Sequence, residues 1–198
     1  MAEKEIKQVI MRAAISLVEQ GDGRLEEVTV RDIAAVAGVG VGLINYHFGS
    51  KDELLRLCAQ TIVSEELERF HLLAEKLSDL PPLERLRRLA KRNCDYLAAR
   101  PNLSRMSIFT DLRRGDYAGD NTDQNMAAFL PLVAEAGGLP ETAMESRMRT
   151  HMLVHALQAA FLRSASVKAR IGLDFYDKAD RDRFVDLTID QLFKEEPV

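Results

Sequence analysis

The sequence predicts an all-α protein of about nine helices, with a three-helix N-terminal head and a larger helical body. Apolar residues recur at helical spacing through most of the chain. Glycine and proline are few, at 11 and 6 of 198 residues, and they stand mainly between the periodic segments. The alternation of apolar and polar residues that is typical of a half-buried strand does not occur. We therefore expect helices joined by short turns.

The first helix of the head ends at Gly21 and carries a single apolar stripe, which places one face against a core. The stripe consists of Ile6, Val9, Ile10, Ala13, Ala14, Leu17 and Val18. Thr29 and Asp32 then have the spacing of a capping box, in which the threonine oxygen and the carboxylate bind each other's backbone amides. A second helix is therefore expected to begin at Thr29.

Two glycines, Gly38 and Gly40, end the second helix after about two turns. A short third helix is expected over residues 41–48. Ser50 begins another capping box, so a long fourth helix is expected over residues 51–78.

Five further helices are expected in the body, over residues 83–99, 103–112, 122–136, 140–167 and 177–194. Pro131 lies inside the third of these and is expected to kink it, because proline removes one backbone hydrogen bond. Pro140 suits the first turn of the next helix, where its missing amide has no intrahelical partner to lose.

Composition excludes several classes of protein. The chain is 46% hydrophobic and 29% charged, a balance typical of a globular chain, and its net charge of −4 does not suit general polyanion binding. No run of about 18 apolar residues occurs, and the first residues lack the apolar core of a signal peptide. Cys58 and Cys94 lie among apolar neighbours and have no metal or redox spacing, which fits a reducing compartment. We expect a cytoplasmic protein with no membrane partner, no bound metal and no cofactor.

Residues 29–51 have the pattern of a helix-turn-helix. Ala34 is small where two helices must cross closely, and Gly38 can adopt the positive φ of the turn. Such a turn sets a second helix across a first, in position for a DNA major groove. From these residues alone, a helical hairpin on the surface of a bundle is an equally good interpretation. The residues expected to pack beneath are Ile33, Val39 and Ile44, and those expected to face outward are Val41, Gly42, Leu43, Tyr46 and His47.

The segment from Thr29 to Leu55 closely resembles the DNA-binding head of the TetR/AcrR family of bacterial regulators. The matching positions are Thr29, Ala34, Gly38, Phe48, Ser50 and Lys51, and the resemblance extends over residues 6–55. Many family members carry Ser at position 40 and Tyr at position 45, where this chain has Gly and Asn. Base and phosphate contacts are expected from Thr29, Arg31, Gly40, Val41, Gly42, Leu43, Asn45, Tyr46, His47 and Lys51.

The resemblance implies a DNA-binding domain over residues 1–51 and a ligand-binding and dimerisation domain over residues 52–198. It implies a one-component regulator, most often a repressor, that binds double-stranded operator DNA as a homodimer. A small, largely hydrophobic effector would release the DNA by moving the fourth helix. Apolar walls and one polar group for the effector are expected from Asn93, Met106, Phe109, Met126 and Phe129. The dimer interface is expected at Met148, Met152, Ala156, Ala160, Phe184, Thr188 and Leu192.

Two other classes of function remain open on the residues alone. His151 and His155 are four apart on a helix, a spacing that a metal-assisted hydrolase can use, although a packed seam with neighbouring methionines is favoured. No third ligand, no nucleophile–base pair and no hydrolase motif accompany them, so we expect no enzyme. Residues 1–51 hold six basic and seven acidic side chains, and this acidic head motivates a helical interaction module without DNA binding. Arg85, Arg88 and Arg92 form either a solvated face or an anion site.

Overall fold

The computed structural model describes residues 3–21, 27–114 and 119–194, and across them the chain forms ten α-helices and no strand. The all-α prediction is therefore confirmed. In chain order the helices are α1 (Glu3–Gln20), α2 (Val30–Ala37), α3 (Val41–Phe48), α4 (Lys51–Lys76), α5 (Pro82–Ala99), α6 (Pro101–Arg114), α7 (Asn121–Gly137), α8 (Met144–Leu162), α9 (Ser164–Ile171) and α10 (Lys178–Leu192).

The predicted capping box begins α2. The Thr29 hydroxyl accepts a hydrogen bond from the Asp32 amide at 3.2 Å, and the Asp32 carboxylate accepts one from the Thr29 amide at 3.1 Å. The bond that the Thr29 hydroxyl donates to this carboxylate is the main reason why the pKa of Asp32 lies below its usual range. At α4, the Ser50 hydroxyl accepts from the Glu53 amide at 3.1 Å, while the Ser50 amide donates to the Phe48 carbonyl at 2.8 Å.

The helix predicted over residues 140–167 begins later than expected and is divided near its end. Gly138 adopts a φ of 64° after α7, Pro140 lies in a turn, and α8 begins only at Met144. Arg163 leaves helical geometry, with φ −112° and ψ 29°, and separates α8 from α9. No glycine or proline marks this break, so the apolar pattern continues through it. The division accounts for ten helices where about nine were expected.

The chain divides into two compact units. The first holds the described residues up to Glu65 together with those of Arg100–Asn121, and the second holds Glu66–Ala99 and the described residues from Thr122 onward. In the first unit, α1 packs on α2 and α6, and α2 packs on α3. In the second unit, α8 packs on α5, α9 and α10, and α5 packs on α10.

Each unit has its own apolar core. Ile10, Ile33, Ile44, Leu54 and Cys58 are buried in the first unit, and Leu86, Leu89, Cys94, Leu153 and Ile189 are buried in the second. Burial raises the pKa of Cys58 and of Cys94 to about 12, so both thiols stay protonated near neutral pH. No helix within the described part of the chain is long and apolar enough to cross a membrane.

Candidate nucleic-acid interface

The turn between α2 and α3 has the geometry that the glycine pattern predicts. Gly38 adopts φ 66° and ψ 32°, and its amide and that of Val39 bond back to α2 at 3.3 and 3.0 Å. A side chain at this φ would be strained, so glycine is required here. Ile33, Ala34 and Ile44 are buried beneath the turn. This packing fixes the direction of α3 relative to α2.

The N-terminal half of α3 and the loop before it face solvent. Val41 and Leu43 are each 38% exposed, and Tyr46 is 78% exposed although it is a large aromatic residue. The surface also includes Gly40, Gly42 and Asn45. Exposed apolar and aromatic side chains at the start of a helix suit contacts with thymine methyl groups and the DNA backbone. The exposure expected for these residues is therefore present.

Two glycines on this surface have no steric role within the described chain. A Cβ built on Gly40 or on Gly42 meets no atom within 4 Å, and Gly40 has an ordinary φ of −73°. Gly40 also provides no side-chain cap, so the first backbone amides of α3 are not covered by a capping side chain. These positions thus leave room for another molecule to approach the backbone, and a helix N-terminus favours a negatively charged one.

The cationic and hydroxyl side chains expected at the phosphates have different surroundings. Arg31 and Thr29 lie exposed at the start of α2. The Thr29 hydroxyl also donates to the Asp32 carboxylate at 2.6 Å, so it serves the helix cap. The Lys51 ammonium donates to the Val28 carbonyl at 3.0 Å and thereby joins the start of α4 to the residue before the α2 cap.

The structure removes His47 from the contact surface that the sequence predicts. Its side chain is 3% exposed, and its Nδ1 lies 3.8 Å from a carboxylate oxygen of Glu3 on α1. His47 follows the buried Ile44 by three positions, and residues three apart share a face of a helix. The prediction that it faces outward was therefore wrong.

Val36 is an exposed residue near this surface that the sequence reasoning missed. It lies on α2 three residues after the buried Ile33, where the apolar stripe predicts burial instead of exposure. The periodicity therefore gave no signal for the exposure of Val36.

The five residues expected at the effector belong to both units, and each is described within its own. Met106 is fully buried in the first unit, and Phe109 is exposed there. In the second unit Phe129 is fully buried and packs on Phe70 with ring centroids 5.0 Å apart. Asn93 and Met126 are half-buried in that unit. Their role at an effector stays a prediction.

The residues expected at the dimer interface lie on α8 and α10. Met148 and Met152 are each 55% exposed, and Ala156 is half-buried. Ala160 is only 3% exposed, so it does not share their exposed face. The physical reason is that each step of four residues turns about 40° around a straight helix, which moves the fourth member of the series into the core. On α10, the predicted residues Phe184, Thr188 and Leu192 are half-buried. Leu187 is exposed there and was not predicted.

The arginine face of α5 is neither a simple solvated face nor an open anion site. Arg85 pairs with Glu135, the Arg88 guanidinium lies 2.9 Å from the Glu84 carboxylate, and that of Arg92 lies 2.7 Å from Glu66. These carboxylates compensate the charge of the face, which disfavours binding of an anionic ligand there.

His151 and His155 are exposed on α8, so the packed seam expected for them is not present within the chain. Their ring centroids lie 5.7 Å apart. Within the described residues, no three or more histidine, cysteine, aspartate or glutamate side chains gather in a group that suits a metal ion. The metal-assisted hydrolase therefore gains no further support.

Comparisons with known proteins agree with this geometry. Residues 10–58 match the family described as bacterial regulatory proteins, tetR family. A relative, the HTH-type transcriptional dual regulator CecR of Shigella flexneri, is 36% identical over 97 residues. That alignment covers 46% of this chain and 42% of the relative, so the chain matches less than half of the relative's length.

Solved structures of similar fold cover almost the whole chain. The transcriptional regulator FadR from Bacillus subtilis, in complex with stearoyl-CoA, has a TM-score of 0.66 at 17% identity, with 94% of this chain and 97% of that chain covered. A TetR-like transcriptional regulator from Rhodococcus sp. RHA1 has a TM-score of 0.58 at 21% identity, with 96% and 97% covered. At these identities the likeness concerns the fold. The likeness to the tetR family of bacterial regulatory proteins therefore rests on residues 10–58.

Proposed function

We propose that the protein is a transcriptional repressor that binds operator DNA as a homodimer and is released by a small, largely hydrophobic effector. The observation that carries the proposal is the exposed start of α3. Val41 and Leu43 project from it and Tyr46 projects from the second turn, while Gly40 and Gly42 keep the backbone open. The same residues lie inside the segment that matches the family.

In this proposal α3 enters the major groove. Val41 and Leu43 contact base edges, where apolar side chains favour the methyl group of thymine. Tyr46 and Arg31 contact the phosphates and fix the position of the helix on the duplex. Gly40 and Gly42 allow the DNA to approach α3 more closely than a side chain would permit, and the helix N-terminus favours a phosphate there.

DNA binding is tested by fluorescence anisotropy with labelled fragments from the region upstream of the gene. We expect Tyr46→Ala to weaken binding at least about tenfold, which is 1.4 kcal/mol of binding free energy. Tyr176→Ala is the matched control, because Tyr176 is also an exposed tyrosine but belongs to the second unit. Equal affinity of wild type and Tyr46→Ala for every fragment would contradict the assignment of α3.

The dimer is proposed to form through the exposed methionines of α8 together with α10. A two-fold dimer presents two copies of α3, which suit half-sites about 34 Å apart, one turn of DNA. Met152→Glu places a charge in this face and is expected to shift the protein towards monomer in sedimentation. Leu72→Glu is the control, because Leu72 is an exposed apolar residue on α4. An unchanged dimer in Met152→Glu would place the interface elsewhere.

The effector is proposed to be hydrophobic or amphipathic and to act by moving α4. Methionine and phenylalanine at positions 106, 109, 126 and 129 supply adaptable apolar surface, and Asn93 supplies an amide. The Bacillus subtilis protein of similar fold binds stearoyl-CoA, an amphipathic molecule. α4 begins at Lys51, which bonds to the residue before the α2 cap, so a shift of α4 would displace the head.

Thermal-shift screening of fatty acids and acyl-CoA esters, followed by anisotropy with any stabilising compound, tests this. An effector is expected to lower DNA affinity by the same factor by which DNA lowers its own. Met126→Ala is expected to weaken effector binding without changing DNA affinity in its absence. Compounds that stabilise the protein and leave DNA affinity unchanged would contradict the effector proposal.

A further inference from the structure

α8 exposes a cluster of metal-ligating side chains that the proposed contacts with DNA do not use. The cluster consists of Met148, His151, Met152 and His155, whose spacings of three and four residues place them on one helical face. Both thioethers and both imidazoles are exposed. Such a set of donors on one face is a candidate site for a transition-metal ion.

The two imidazoles form the centre of this cluster. Their ring centroids lie 5.7 Å apart and their planes are tilted by 40°. Among the described residues, neither ring has a hydrogen-bond or ion-pair partner, so both keep their nitrogens for a ligand. Histidines four apart on a helix bind zinc in known metalloproteins, and imidazole also suits copper and nickel.

One copy of the chain cannot enclose the ion. Zinc is almost always four-coordinate in structural sites, and two imidazoles leave such an ion two ligands short. No third histidine, cysteine or carboxylate joins the pair within the described residues. The remaining ligands must therefore come from outside the chain. A two-fold dimer whose axis passes beside this pair would bring the same residues of the second copy opposite it.

We propose that His151 and His155 of two copies together bind one divalent transition-metal ion, zinc or copper, and that this ion stabilises the dimer. Met148 and Met152 pack around the ion and are additional soft donors if copper is bound. The proposal rests on the dimer face of the proposed function. It adds a ligand and a means of regulation to that face, because metal supply would then change the fraction of DNA-binding dimer.

The test uses the full-length chain without a histidine tag and zinc chloride as the probe. Calorimetry is expected to find one zinc ion for each pair of chains. Sedimentation is expected to find dimerisation at least about tenfold tighter with zinc than with EDTA, because a ligand that binds only the dimer favours it by mass action. His151→Ala and His155→Ala are each expected to lose both effects, and both variants should fold because both rings are exposed. His71→Ala is the matched control, because His71 is an exposed histidine on α4.

Three results would overturn the inference: no zinc binding, equal zinc binding by wild type and by either single variant, or one ion per chain without tighter dimerisation. The proposed function fails differently. If the wild type shows no sequence-specific DNA binding, either with zinc or with EDTA, the proposal of a repressor is contradicted. If the dimer binds the operator and its stability does not change with zinc, only the metal site is contradicted.

Discussion

At Gly42, folding and the proposed DNA binding favour different residues. It lies in the first turn of α3, and a Cβ at this position meets nothing within 4 Å. Alanine is the better helix former, so Gly42→Ala is expected to stabilise the protein by about 0.5 kcal/mol. The added methyl group is expected to weaken operator binding at least about tenfold, because it occupies the space left for DNA.

Thermal unfolding and fluorescence anisotropy measure the two effects of Gly42→Ala separately. Gly38→Ala is the control: its φ of 66° strains alanine, and a loss of about 1 kcal/mol is expected there. A Gly42→Ala protein that binds the operator as the wild type does would show that DNA does not approach this backbone.

Lys51 makes a contact within the fold in addition to the phosphate contact expected of it. Lys51→Ala removes the bond to the Val28 carbonyl, which is expected to destabilise the protein by about 1 kcal/mol. If Lys51 also contacts a phosphate, the slope of log affinity against log salt falls in magnitude by roughly 0.9 for each head. We expect both changes, measured by urea unfolding and by anisotropy at several salt concentrations. Weaker binding with an unchanged slope would limit Lys51 to holding the segment before α2.

At the scale of the helices, several ion pairs join α5 to α10, and the pair of Asp95 with Arg181 includes a buried guanidinium. The guanidinium of Arg181 is buried, and its Nε donates to Asp95 at 3.1 Å while its Nη1 donates to the Phe175 carbonyl at 2.9 Å. Partial burial raises the pKa of Asp95, but hydrogen bonds from Arg181 and Lys178 outweigh burial and hold this pKa below its usual value of 3.8. The ionised carboxylate is therefore the form that stabilises the fold.

We expect Asp95→Asn to lower the free energy of unfolding at pH 7 by about 2 kcal/mol, because it leaves the buried guanidinium without its counterion. Since the folded pKa is depressed, the stabilisation is present above pH 3.8 and is lost as the pH falls through the lower folded value. The variant should therefore lose less stability than the wild type on acidification. Urea unfolding at pH 7 and near pH 3 measures this.

Glu84→Gln is the control for Asp95→Asn. It changes a carboxylate of the same helix that pairs with Arg88 at the surface, and an effect below about 1 kcal/mol is expected. If both variants lose the same free energy of unfolding at pH 7, the pair of Asp95 with Arg181 stabilises the fold no more than a surface pair does.

At the scale of the whole molecule, the few cations of the head are expected to limit the electrostatic part of the proposed DNA binding. Arg31 lies exposed beside the helix-turn-helix, while Lys7 lies 3.7 Å from Glu3 and Lys51 bonds to Val28. With two to four phosphate contacts in each of two heads, we expect a salt slope of roughly −4 to −7. Anisotropy between low and moderate salt measures it. A slope near −10 would reveal a basic surface outside these residues.

Local signals in the sequence were sufficient for most of the fold and for the exposed surface of α3 that forms the candidate site. The capping box at Thr29 and the turn at Gly38 depend on hydrogen bonds between residues only a few positions apart. Such bonds form wherever the right side chains follow one another, so the pattern alone placed α2 and α3 correctly. The exposed start of α3 followed from the same spacing.

By itself, the sequence determined the all-α class, the helix-turn-helix and the family resemblance of residues 6–55. The tertiary structure alone decided the burial of His47 against α1, the bond between Lys51 and Val28, and the pairing of Asp95 with Arg181. It also decided that Ala160 faces the core and that α8 ends at Leu162. The physical reason is that these features join residues far apart in the chain or depend on the rotation of a whole helix. No signal of capping, glycine or short-range periodicity encodes them.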